Sequence, residues 1–334
     1  MTDKLPTVIR ARSHEGMLAA IPYLLTFHPE NSLVLVFLDD QQVVLTGRLD
    51  LPETEELPDM GGWLTEVALI AGATALSAVT YHPDVSLGLA ALARIERESP
   101  LPVSELIHAS EDYFWAACCD DPLVPRPYDV VSHEVSASAV LAGVSALPDR
   151  AAVQRLASGP TPAVRDACVA AFALAAQTVR DLDPHQRLEL TVKLVEHHLL
   201  DPAGMDVPTC ALLATLILEI PSRDAAWLMM SRPSAGEHLA LWSRVVAHTI
   251  APWEMAPLCL LGSAAWINGN GALLVECIER GEQIDPHYSL LRLLNDINLR
   301  ALPPTAWDEI FALDLRESLL AESPGVPDHR EEAA

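Results

Sequence analysis

The sequence predicts two unlike parts: a mixed domain of α+β or α/β class over residues 1–130, then an all-α array of paired helices over residues 131–322. Three observations carry this division. Before residue 130, runs with strand alternation are interleaved with segments of helical period. From about residue 133 the period stays helical, and proline breaks it into short amphipathic pieces such as LPDRAAVQRL and TPAVRDACVAAFALAAQTVRD. Finally, 334 residues, half of them hydrophobic and a fifth charged, are a globular composition with room for two cores. Residues 323–334 read as a disordered acidic tail.

In chain order, Ser13 caps a helix across 14–27, interrupted or kinked at Pro22. Residues 32–38, SLVLVFL, are apolar on both parities, which predicts a strand covered on both faces. Residues 43–51 alternate instead, with Val43, Leu45, Leu49 and Leu51 on one side and Val44, Thr46, Arg48 and Asp50 on the other. A helix follows near 61–72, a strand at 75–82, and a helix at 85–98 with Leu89, Leu92 and Ile95 on one face. Residues 103–119 give two strands turning around Ser110 and Glu111. The sum is a mixed sheet of about five strands with a hairpin, helices packed on it.

In the second part, Thr161-Pro162 and Asp183-Pro184 each place an N-cap before a proline at the first helical position. Leu188, Val192, Val195 and Leu199 form one apolar stripe, and Ser234 with Glu237 has capping-box spacing. The stretch LLGSAAWINGNGALLVECIERGEQIDPHYSLL resembles a single degenerate tetratricopeptide unit. Leu261, Gly262, Ile278 and Pro286 fall at its expected positions; Leu274 stands where alanine is usual, and the first helix lacks the expected tryptophan and tyrosine. One such unit cannot bury its own faces, so neighbouring helices must complete the stack.

Charge excludes some functions. A formal net charge of −25, with lysine only at Lys4 and Lys193, opposes nucleic-acid and anionic-membrane binding. No run of about 18 apolar residues offers a membrane span. The N-terminal MTDKLPTVIRARSHEG lacks a signal-peptide core, and the six cysteines are scattered apart from Cys118-Cys119. The expectation is a cytoplasmic protein with reduced thiols.

No motif implies a cofactor or a metal. Gly269-x-Gly271 follows a helix and lacks the rest of a phosphate loop, so it reads as an inter-helix turn. Gly143-Val144-Ser145-Ala146-Leu147 lacks the closing glycine of a nucleophile elbow. Glu196-His197-His198 has the wrong spacing for a zinc site, and Cys118 and Cys119 point to opposite sides of a strand. No catalytic residue is assigned.

The candidate ligand-binding residues are Arg48, Asp50 and His28. Asp39-Asp40 at the end of an apolar strand could hold magnesium, but Gln41-Gln42 lead straight into the next strand, which favours a hairpin turn. Arg48 and Asp50 share a strand face roughly 7 Å apart. There the arginine could take a carboxylate or phosphate with Asp50 orienting it, or each could simply pair with a neighbour. His28 sits at the mouth of the hairpin, in His28-Pro29-Glu30-Asn31, which also suits a plain helix-to-strand turn.

The run MLAAIPYLLTFHPENSLVLVFL, the hairpin closing in Arg48-Leu49-Asp50-Leu51-Pro52, and Arg126-Pro127-Tyr128-Asp129 together resemble domain of unknown function 4192, a bacterial family. Ala265 to Gly271 in the helical part fits as well. The resemblance implies a cysteine-rich stretch after the aromatic strand. This chain keeps Cys118 but has Leu123-Val124-Pro125 where a paired cysteine is expected, which speaks against an essential thiol. No activity comes with the resemblance. Two functions therefore stand as expectations. One is a non-catalytic scaffold whose helical array grips a protein partner, a basic one given the acidic chain. The other is a sensor or enzyme for a small anionic ligand, with its pocket near His28, Arg48 and Asp50.

Overall fold

The computed structural model describes residues 11–51, 60–117, 121, 123–142 and 144–310. The tail at 323–334, Cys118, Cys119 and Gly143 lie outside these residues. Six strands form one sheet: β1 (Ser32–Asp39), β2 (Gln42–Asp50), β3 (Ala75–Tyr81), β4 (Val103–Ser110), β5 (Tyr113–Ala116) and β6 (Arg126–Pro127), in the order β2-β1-β3-β4-β5-β6. Among the described strands, only β3 and β4 pair in parallel. The sixth strand is two residues with a proline, an edge piece too short to leave a periodic signal.

β1 is interior on both faces, as its composition requires. Leu33, Leu35 and Phe37 enter one apolar cluster, Val34 and Val36 the other. The β1–β2 turn has φ of 45° at Asp40 and 67° at Gln41, the doubly left-handed signature of a two-residue hairpin, so Asp39-Asp40 belongs to a turn. Strict alternation fails at the start of β2. The register shifts between Phe37 and Leu38, so that Leu38 faces Val43 while Phe37 faces Leu45. This bulge leaves Val43 exposed and packs Val44 beside Leu45 and Leu49, against the expected parity.

Helices cover both faces. On one side α1 (His14–Leu25) begins where the Ser13 hydroxyl accepts from Gly16 N at 3.0 Å. It runs through Pro22 and stops at Thr26, whose φ of 68° is left-handed. On the other side lie α2 (Gly61–Ala71) and α3 (Val85–Glu98). α3 is the crossover between β3 and β4, and Asp84 caps it by accepting from Ser86 N and Leu87 N at 2.9 and 3.2 Å.

Among the described residues from 134 to 310 the regular structure is helical: α4 (Glu134–Leu141), α5 (Arg150–Leu156), α6 (Pro162–Arg180), α7 (Pro184–Leu199), α8 (Val207–Leu216), α9 (Ile220–Leu228), α10 (Ala235–Val246), α11 (Met255–Ile267), α12 (Gly271–Ile284), α13 (Ser289–Leu299) and α14 (Ala306–Ile310). Asp183 forms a full capping box with Gln186. The Ser234–Glu237 box is not formed: Ser234 Oγ sits 2.7 Å from Ser231 Oγ and caps no N–H. α11 and α12 reverse through residues 268–270, where Asn270 Oδ1 accepts from Leu273 N at 3.1 Å. Gly269 takes φ 77° in that turn, confirming it as inter-helix punctuation. All thirteen residues of α11 are buried, so helices enclose it from every side. The apolar cluster built on α11 is continuous with Val34, Val79 and Ile107 of the sheet, so the two parts share one core.

Candidate functional site

A cleft of about 310 Å³ opens at the carboxyl ends of the parallel pair β3 and β4. In open sheets that edge is where ligands lodge, because successive loops leave it uncovered. Four short segments line it: His28 to Asn31 before β1; Tyr81 to Pro83 after β3; Ala109 to Glu111 at the β4–β5 turn; and Tyr128 with Val130. Leu18 and Pro22 of α1 complete it. Pro22 has no N–H to give the Leu18 carbonyl, so the helix's own bonding is interrupted at this wall.

The polar groups fall into two levels. Glu30, Asn31 and Glu111 are exposed, whereas His28, Tyr81, His82, Ser110 and Tyr128 are half-buried. Two of these backbones are left-handed, with φ of 44° at Asn31 and 51° at Glu111, uncommon for residues with a side chain. The Tyr81 hydroxyl oxygen is buried and makes no hydrogen bond. Burial, and then the nearby Tyr128 phenol, push its pKa well up. Burial followed by the Asp112 carboxylate raises Tyr128 as well. Both phenols therefore keep their protons at neutral pH and are available as donors. His82 Nδ1 accepts from Asp84 N at 2.9 Å, so a neutral His82 carries its proton on Nε2.

Of the three residues singled out in the sequence, His28 lines the cleft. Its backbone is pinned to the helical part: His28 N donates to Leu147 O at 3.0 Å, and Leu147 N to Thr26 O at 2.7 Å. Thr26 Oγ1 also donates to Asn270 Oδ1 at 3.1 Å, tying this segment to the α11–α12 turn. Arg48 lies one step behind the cleft, and each of its side-chain nitrogens is engaged. Nε donates to Ser32 Oγ at 2.8 Å, Nη2 to the Glu30 carbonyl at 3.3 Å, and Nη1 pairs with Asp50 at 2.5 Å. Arg48 thus holds the main chain of a cleft residue in place.

Asp50 in turn bridges Arg48 to Arg150 of α5, at 3.3 Å. Arg150 continues to Glu276 at 2.7 Å and Glu279 at 3.2 Å, both on α12. Sharing a strand face does bring Arg48 and Asp50 together. The exposed Asp50 limits what their pair adds to stability to about 0–1 kcal/mol.

Sequence reasoning missed Tyr81, His82, Glu111 and Tyr128. Two signals pointed there: the strand ends at 81 and 110, and the Arg-Pro-Tyr-Asp run containing Tyr128. His197 and His198 stack edge-to-face at 4.8 Å on α7, and among the described residues no group of three or more His, Cys, Asp or Glu is arranged to hold a metal ion. No helix among those residues is long and apolar enough to cross a membrane.

A family model described as Domain of unknown function (DUF4192) matches residues 15–305, and the chain belongs to that family. No curated protein and no solved structure matches it.

Proposed function

We propose that the protein binds a small molecule in the cleft at the carboxyl ends of β3 and β4, as a sensor or enzyme. The observation that carries this reading is the cleft itself, about 310 Å³ at the carboxyl ends of β3 and β4, lined by Tyr81, Tyr128, His28 and His82. A cavity of ligand size at a sheet's carboxyl edge, walled by aromatic and apolar residues with a few polar groups, is the ordinary form of a small-molecule site. The helical part then acts as a frame: Leu147 and Asn270 hold the segment before β1 that lines the cleft, and Arg150 holds Asp50, the partner of Arg48, behind it. The alternative, a helical scaffold gripping a protein, has less support, because α11, the first helix of the tetratricopeptide-like stretch, is wholly enclosed.

Thermal unfolding against a chemically diverse panel of small metabolites tests the reading, since a ligand that binds the native state raises Tm by mass action. A stabilising compound whose effect disappears in Ser110→Trp, which fills the cleft, is the expected outcome. A panel without any such compound, or shifts that survive Ser110→Trp, would overturn it.

A further inference from the structure

The cleft's chemistry narrows the guest. We infer that it selects a small organic cation, an amine or quaternary ammonium with a short apolar stem, over an anion. This rests on the cleft being the ligand site. Three observations agree. Among the described residues, those lining the cleft include Glu30 and Glu111 and no lysine or arginine.

Two places that could hold an anion, Arg48 and the N-terminus of α3, are already occupied. Arg48, the nearest candidate identified from the sequence, spends its nitrogens on Ser32, the Glu30 carbonyl and Asp50. The N-terminus of α3, which follows β3 where phosphate sits in many α/β folds, is filled by the Asp84 carboxylate on Ser86 N and Leu87 N. Finally, Tyr81 and Tyr128 line the same cleft, and aromatic rings are surfaces on which ammonium groups are stabilised. Carboxylates at a rim attract a cation at long range, and ring faces reward its partial desolvation. The phenols remain neutral, so they add hydrogen bonding without adding charge.

Isothermal titration of the full chain with choline, putrescine, glutarate and inorganic phosphate, at low and moderate salt, tests the inference. Choline or putrescine is expected to bind at least tenfold more tightly than either anion. Glu30→Gln with Glu111→Gln should weaken that binding at least tenfold, and Ser110→Trp should abolish it. Tighter binding of glutarate or phosphate that Ser110→Trp abolishes would overturn the cation inference and leave the cleft as a ligand site. Cation binding indifferent to all three substitutions would be general attraction to an acidic chain, and would also overturn it. If neither cation binds at millimolar concentration the inference fails, and the broader panel then decides separately whether the cleft takes any ligand.

Discussion

Gly88 offers a sharp test of the packing beneath the site. It lies in α3, where alanine is ordinarily better than glycine by about 1 kcal/mol because the glycine backbone has more freedom to lose. Here a Cβ would fall 2.0 Å from His108 Nδ1 and 2.4 Å from its Cε1. The ring cannot step aside cheaply. It is fully buried, shares a 2.9 Å hydrogen bond with the Thr80 hydroxyl, and lies 5.4 Å from the Trp115 ring. Overpacking of this kind costs about 1–3 kcal/mol. Losing the Thr80–His108 hydrogen bond adds about 1 kcal/mol.

Against the propensity gain, Gly88→Ala should therefore destabilise the protein by roughly 2 kcal/mol. Gly62→Ala, on α2 with nothing within 4 Å of the new methyl, should stabilise it by up to about 1 kcal/mol. Urea unfolding followed by circular dichroism reads both, the midpoints moving in opposite directions with the slope unchanged. In a His108→Ala background the Gly88→Ala penalty should vanish, since the obstructing ring is gone. A Gly88→Ala midpoint at or above that of the parent would refute the reasoning.

Two further predictions concern charge. Burial drives His108 and His238 down to about 4 from an ordinary value near 6.5. The folded state holds both neutral, while the unfolded chain takes up protons from about pH 6.5 downward. Their contribution is complete above pH 6.5 and falls away as pH drops toward 4, by about 3 kcal/mol for each histidine. Stability measured from pH 7.5 to 4.5 should show that decline, and His238→Gln should flatten it; an unchanged slope would count against the assignment. Arg150→Met should cost about 3 kcal/mol, because it strands the buried Glu276 carboxylate. Adding Glu276→Leu should restore most of the loss in the same urea assay, and failure of that rescue would show that the ion pair is not what the arginine contributes.

The architecture was largely legible because it depends on local patterns. Two-sided hydrophobicity placed β1 between two cores, Ser13 and Asp183 announced their helices, and Asp39-Asp40 read as a turn. Where reading failed, a particular contact outweighed the repeating pattern. The β1–β2 bulge reversed the parity of Val43 and Val44, and Ser231 drew the Ser234 hydroxyl away from its helix. The candidate site was legible only in part. His28, Arg48 and Asp50 were found as charged or titratable residues near a hairpin, yet only His28 reaches the cleft.

By itself the sequence determined that a mixed sheet precedes a helical half, that the chain is strongly acidic, and where most elements begin, because period, caps and composition act within a few residues. Only the tertiary structure decided that the halves share a core, that Arg48 serves a backbone carbonyl, and that four separated segments meet in a cleft. Those outcomes depend on which strand ends lie side by side and which partner reaches a guanidinium first. Positions far apart in the chain settle both, and no local pattern encodes them.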